Sequence, residues 1–208
     1  MARPAVHPVS LIVPAAAMAL VVAASNVLVQ HPVEAFGLAD KLTWGAFTYP
    51  LAFLVTDLTN RRFGPQAARR VVVTGFAVAV LLSFGLAAPR VAAASGAAFL
   101  FGQLLDVAVF SKLRRLAWWR APLAASLLGS AVDTAIFFTL AFAGNPEMSG
   151  AVTPLGGAVA VPLWVSLAGF DFLVKVVGAF VLLAPYGALM GVIRPLETAA
   201  SRPLVSRP

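Results

Sequence analysis

The placement of the cations constrains this chain more than any other feature. Twelve of its 15 Lys and Arg residues fall in alternate gaps between long apolar runs: Arg3; Arg61, Arg62, Arg69 and Arg70; Lys112, Arg114, Arg115 and Arg120; and Arg194, Arg202 and Arg207. Only Lys41 and Arg90 fall in the other gaps, and Lys175 lies inside the last run. Apolar runs joined by alternately basic connections are the pattern of a polytopic membrane protein whose basic side faces the cytoplasm. Composition agrees, because 11% of the residues are charged and 61% hydrophobic, whereas a soluble domain carries about 25% charged residues. The net charge of +7 therefore reports topology and gives no reason to invoke nucleic acid. There is no cysteine, and His7 and His31 lie outside the apolar runs. Thiolate metal sites and disulfides are thus absent, no metal or other cofactor is expected, and a metal enzyme is argued against.

The runs predict an all-α protein of six transmembrane helices, about 10–29, 42–58, 69–88, 91–111, 122–143 and 163–191, forming one domain over 1–208 with both termini inside. The charged start, apolar core and small residues of the first run also fit a cleaved signal peptide. It is long enough to span, however, and Ala15, Ala19 and Ala23 offer a small-residue stripe for helix packing. The second run is the odd one. It is short, broken by Pro50, and carries Asp57 before the arginine pairs. Such interrupted segments lie at substrate sites in transporters, although a plain spanning helix with Asp57 snorkelling into the headgroups fits as well. Residues 144–162, with Asn145, Pro146, Glu147, Gly156 and Gly157, read as a loop or a re-entrant piece. The sixth run exceeds a span and is tilted or kinked at Pro185. Trp118 and Trp119 beside arginines fit an interfacial belt, and the basic tail to Pro208 is expected to be disordered.

Polar residues inside the runs give the functional candidates. The fourth reads Gly102-Gln-Leu-Leu-Asp106-Val-Ala-Val-Phe110 and the fifth Gly129-Ser-Ala-Val-Asp133-Thr-Ala-Ile-Phe137, so both contain G-x-x-x-D-x-A-x-F. An i, i+4 step keeps each glycine on the face of its aspartate, and two antiparallel helices of this kind would offer carboxylates to a common interior. Chance similarity in an alanine- and glycine-rich chain is the alternative. Asp171 and Lys175 repeat the i, i+4 step as an ion pair, either a structural strut or a cavity pair that exchanges partners. Asp57, Asp106, Asp133 and Asp171 against one lysine leave surplus negative charge unless some are protonated, as burial favours, and such a cavity would suit a cation, a hydrogen-bond donor or a proton.

These residues carry a likeness. The strings TWGAFTYPLAFLVTDLTNRRFG, GQLLDVAVFSKLRR, SLLGSAVDTAIFFTLAF and FDFLVKV, in that order, resemble the bacterial queuosine precursor transporter family, also called the vitamin uptake transporter family, over essentially Ser25 to Pro185. The chain departs from the pattern in an abbreviated connection around Pro89 and Arg90, and in Asn60 passing directly into two arginines. The resemblance implies an importer of 7-cyano-7-deazaguanine and 7-aminomethyl-7-deazaguanine in the bacterial inner membrane, a multi-pass protein whose partners are a small-molecule 7-deazaguanine and the lipid bilayer, and not an enzyme. Assembly as a homo-oligomer stays open. Asp106 and Asp133 are then expected at the base edge or amine, with Gln103, Asn60 and Asp57 as further hydrogen-bonding groups. Phe53 and Phe137 are candidate stacking partners, and Asp171 with Lys175 a gate or coupling pair. The alternative class is a substrate-binding subunit of an energy-coupling-factor importer. An intramembrane aspartyl protease lacks its glycine-x-glycine-aspartate string here.

Overall fold

In lipid every backbone N–H and C=O must be satisfied within the chain, so apolar runs of this length can only become helices. The computed structural model, which describes residues 8–28, 31, 33–35, 41–83, 88–154 and 159–195, is accordingly an all-α polytopic membrane protein. Its helices are α1 (Ile12–Leu28), α2 (Gly45–Thr48), α3 (Leu51–Phe63), α4 (Pro65–Ser83), α5 (Pro89–Leu113), α6 (Arg120–Phe142) and α7 (Leu163–Met190). Four of them, α4 to α7, are long and apolar enough to cross a membrane by themselves, and α1 is a shorter apolar helix.

The second run behaves as its proline demands. Pro50 has no N–H to donate, and the helix is divided there into α2 and α3. Tyr49 and Pro50 keep right-handed helical angles, so the two pieces follow one another as a bent rod. Pro50 packs against Gly178 of α7, where a Cβ would stand 3.2 Å from its ring. The far boundary lies beyond the expected Leu58. α3 continues through both arginines to Phe63, and Gly64, at φ 87°, returns an N–H to the Asn60 carbonyl at 2.9 Å. A left-handed residue at this point needs glycine. Pro65 then opens α4, four residues before the expected start at Arg69 and in the first-turn position that proline suits. Asp57 is therefore mid-helix and 1% exposed, which removes the snorkelling alternative.

α5 and α6 form the central antiparallel pair, and the nine-residue echo is what lets them approach. A Cβ on Gly102 would stand 2.9 Å from the Asp133 Cβ and 3.0 Å from the Gly129 carbonyl oxygen. In return, a Cβ on Gly129 would stand 2.9 Å from the Gly102 carbonyl oxygen and 3.3 Å from the Asp106 Cβ. Each glycine thus clears space for the other helix's aspartate, giving the crossing a local two-fold relation. Backbones brought this close are the membrane counterpart of small-residue packing.

Around that pair, one apolar core joins α1, α3, α4 and α5 through Met18, Val22, Ala52, Val71, Val72, Phe99 and Val107. A second, at the other end, joins α5, α6 and α7 through Phe110, Ala121, Ala125 and Tyr186. The buried face of α1 is Met18, Val22 and Ser25, while the alanine stripe at 15, 19 and 23 is only half-buried. Gly75 of α4 admits Met18, whose Cγ lies 2.5 Å from where a Cβ would be. α7 shows the opposite balance. It turns Lys175, Ala179 and Tyr186 inward and leaves Leu173, Val177, Phe180 and Val181 exposed, as a lipid-facing helix does. It runs continuously through Pro185.

The described part of the segment after α6 holds a short turn of 3-10 helix, Pro146–Met148, and a two-residue antiparallel ladder pairing Ala151 with Pro162 and Val152 with Val161, while Gly156 and Gly157 lie outside the described residues. Arg90 fastens this end of the bundle by donating to the Leu140 and Ala143 carbonyls at 2.7 and 2.6 Å, where α6 has run out of helical donors. Trp118 and Trp119 are 46% and 41% exposed, and Trp118 rests against Gly187. The tail over 196–208 and residues 84–87 of the connection before Pro89 lie outside the described residues.

Candidate functional site

The bend at Pro50 and the glycine crossing together leave a hollow of about 140 Å³, open at the end where α1 finishes and α5 begins. Its walls include Ser25 and Asn26 of α1, Tyr49 at the bend, Ser95 of α5 and Phe137 of α6, and Asp133, Asp171 and Lys175 reach it as well. A closed cavity of roughly 150 Å³ holds a benzene ring, so this open hollow takes a small planar molecule. The basic residues Arg61, Arg62, Lys112 and Arg120 stand at the opposite ends of the same helices.

Lys175 organises the polar group. Its ammonium donates to Asp133 Oδ2 at 2.6 Å, Asp171 Oδ2 at 2.5 Å and Thr134 Oγ1 at 3.0 Å. The Thr134 hydroxyl donates to the same Asp171 oxygen at 2.7 Å, and the Tyr49 hydroxyl donates to Asp133 Oδ1 at 2.7 Å. The ammonium also lies 5.2 Å from the Tyr49 ring centre, within cation–π range. An isolated ammonium at this depth would be costly, and two carboxyls plus a hydroxyl offset that cost. Two carboxyls sharing one ammonium leave a formal charge of minus one.

Chemically this is a group that accepts N–H donors, offers one strong donor and tolerates an added cation. Phe137 borders it, held edge-on to Phe138 and Phe142 at 5.1 and 5.8 Å between ring centres.

The remaining candidates form a separate group across the crossing, and the common interior expected of all four aspartates is divided in two. Phe53 lies between the groups, edge-on to Tyr49 at 6.2 Å, with its ring 2.7 Å from where a Gly129 Cβ would be. Beyond it, Thr56, Asp57 and Asn60 of α3 face Gln103 and Asp106 of α5, each at most 1% exposed. The Thr56 hydroxyl donates to Gln103 Oε1 at 2.6 Å. The Asn60 amide donates to the Val107 carbonyl at 3.1 Å and to Ser111 Oγ at 3.0 Å, which commits it to holding α3 against α5. The carboxyls of Asp57 and Asp106 lie within hydrogen-bonding reach of each other. Apart from that facing pair, Asp57 Oδ1, both Asp106 oxygens and Gln103 Nε2 have no hydrogen-bond partner among the described residues. Each such buried group costs about 1–3 kcal/mol, more if charged.

Sequence reasoning passed over Tyr49, Thr134 and Thr56. Tyr49 had a usable signal, an aromatic hydroxyl directly before the helix-breaking proline. Thr134 and Thr56 stand beside aspartates, but nothing in their spacing says that they point the same way.

Two comparisons place these residues among known proteins. The family described as "Putative vitamin uptake transporter" matches residues 43–88 and 83–189. The chain is 37% identical over 196 residues to the queuosine precursor transporter of Escherichia coli (strain K12), covering 84% of this chain and 83% of that protein. It is 36% identical over 207 residues to the probable queuosine precursor transporter of Haemophilus influenzae, covering 83% of each. A similarly described Bacillus subtilis protein is 33% identical over 149 residues, 58% of this chain and 64% of that one. All three are described as transporters and none as an enzyme. No solved structure matches the chain.

Proposed function

The chain belongs to the vitamin uptake transporter family, and on that premise we propose that it imports 7-cyano-7-deazaguanine and 7-aminomethyl-7-deazaguanine for salvage into tRNA queuosine. It acts as one domain of six transmembrane helices in the bacterial inner membrane, α2 and α3 together making the second span, with both termini in the cytoplasm. The basic residues grouped at one end of the bundle support that orientation. The hollow then opens to the outside, where an importer meets its substrate.

One observation carries the reading: Lys175 held jointly by Asp133 and Asp171 beside a hollow of planar-ligand size. A deazaguanine presents adjacent N–H donors and a carbonyl on one edge. A carboxylate accepts the donors in bidentate fashion, and the ammonium donates to the carbonyl. Because Lys175 has two carboxyl partners, one can turn to the base while the other keeps the lysine paired. The aminomethyl form brings a cation that a group with a formal charge of minus one attracts. Phe137 supplies an aromatic wall. Asp57, Gln103, Asp106 and Phe53 lie further along the path, with Asn60 holding its helices together.

Uptake of labelled precursor by a salvage-dependent strain tests this. Asp133→Asn keeps the shape but replaces one acceptor oxygen with a donor, and uptake is expected to fall roughly ten- to a hundredfold. Wild-type uptake by that variant removes Asp133 from the site.

A further inference from the structure

Beyond Phe53 the chain buries polar atoms that no described residue completes. The Thr56 hydroxyl holds Gln103 by its carbonyl oxygen, and the amide nitrogen then finds no acceptor. Asp106 faces Asp57 within hydrogen-bonding reach, and even a proton shared between the two carboxyls leaves an Asp106 oxygen that meets no donor among the described residues. Native interiors rarely leave such groups open side by side.

Three further observations point the same way. The local two-fold at Gly102 and Gly129 makes Asp106 the counterpart of Asp133, which stands at the outer hollow. A second, narrow cleft of about 10 Å³ reaches Asp57 from the basic end of the bundle, between Leu54, Ser126, Ala179 and Tyr186. The chemistry of the two groups also matches. Asp133, Asp171 and Lys175 supply two carboxyls and one donor group, an ammonium that the carboxyls and Thr134 already hold, and Asp57, Asp106 and Gln103 supply two carboxyls and one donor group, the open amide.

We propose that Asp57, Asp106 and Gln103 form a second binding station for a planar base with adjacent N–H donors and a neighbouring carbonyl, separated from the outer station by Phe53 seated in the Gly129 notch. This rests on the reading of the outer hollow as a deazaguanine site. In the described conformation the inner station is closed and its cleft is too small for a base. Opening the bundle at its basic end widens the cleft, and the base edge then completes the carboxyls and the amide together. Each station is thus the end of one half-channel, and Phe53 keeps the two from joining.

The chain has no cysteine, so single thiols can be placed without background. Ala46→Cys puts one on the outer hollow and Ser126→Cys one on the inner cleft. Alkylation by a membrane-impermeant maleimide is measured in right-side-out vesicles for the first and inverted vesicles for the second, across a titration of 7-aminomethyl-7-deazaguanine.

Both thiols are expected to be protected. Adding Asp106→Asn or, separately, Gln103→Ala should raise the ligand concentration that protects position 126 by about tenfold or more, while position 46 moves by less than about twofold. Protection at position 46 also reports that each variant is folded. Protection at position 46 alone overturns the second station and leaves the outer site standing. A shift of both thiols together, or of neither, in the Asp106→Asn and Gln103→Ala proteins overturns it as well. Protection at neither position in the parent proteins removes the deazaguanine reading itself, and the station with it.

Discussion

Asp133 and Asp106 occupy the same place in the same nine-residue pattern, on two helices that cross at the glycines of that pattern, yet they live in opposite surroundings. Asp133 has both oxygens taken, one by Tyr49 and one by Lys175, beside an open hollow. Asp106 is fully buried, faces another carboxyl within hydrogen-bonding reach, and meets no N–H donor among the described residues. The local sequence does not make this difference, because both helices supply glycine, aspartate, alanine and phenylalanine at equal spacing. The third helix makes it. α7 brings an ammonium to Asp133, and α3 brings a second acid to Asp106. One end is thereby satisfied before substrate arrives, and the other is left incomplete.

The largest expected effect comes from breaking the satisfied end. Lys175→Met keeps roughly the length of the side chain and leaves the buried Asp133 and the part-buried Asp171 without their ammonium, which should cost about 3–5 kcal/mol. Thermal unfolding in detergent would show it as a clear loss of stability, accompanied by loss of uptake. Adding Asp133→Asn and Asp171→Asn to that variant removes the stranded charges, so stability should return most of the way while uptake does not. If Lys175→Met melts with the wild type, the carboxyls were not relying on the lysine, and the contrast between the two ends disappears.

The same experiment at the incomplete end should have the opposite sign. Asp106→Asn supplies an N–H donor to Asp57 and removes one of two facing acceptors, which should stabilise the protein by about 1–3 kcal/mol. A gain in stability paired with a loss of transport is what a site held incomplete for a ligand would show. A loss of stability would mean that the Asp106 oxygens already have donors, and the two ends would then be alike.

How much of this the sequence displayed depended on how local each feature was. The membrane character, the helices and the Asp171 to Lys175 pairing all follow from neighbouring residues, through hydropathy and the i, i+4 rule. The glycine and aspartate echo was visible too, but its meaning was not. A glycine one turn from an aspartate on its own helix serves, in the fold, the aspartate of the other helix. The division of four aspartates into two groups was equally hidden. It depends on Phe53 meeting Gly129 and on Asp57 meeting Asp106, contacts between helices that no spacing within one helix reveals. The length of α3 was misjudged for a simpler reason. Two arginines after an apolar run suggest the membrane surface, yet a helix continues past the lipid boundary as readily as within it, and only Gly64 ends this one.

The smallest effects concern how each end is fastened, and they sharpen the contrast between a dry end and an open one. Asn60 ties the inner end with two donated bonds, to the Val107 carbonyl and to Ser111, and is fully buried. Arg90 ties the outer end with two shorter bonds to α6 carbonyls, but in an exposed position. Distance alone would rank Arg90 first. Surroundings reverse the ranking, because water competes for an exposed arginine, whereas Asn60→Ala removes two bonds inside the packed α3–α5 contact, where the Ser111 hydroxyl keeps only its own 2.6 Å bond to the Val107 carbonyl. Hydrogen bonds between membrane helices average about 0.6 kcal/mol and reach about 1.7, so Asn60→Ala should cost about 1–2 kcal/mol. Arg90→Leu, at an exposed helix C-terminus, should cost about 0.3–1 kcal/mol and lose part of that effect in high salt. Melting both variants at low and high ionic strength checks the order and its cause together. If Arg90→Leu is the more damaging at both salts, the outer end is shielded from water in the membrane, and exposure cannot be what distinguishes the two aspartates.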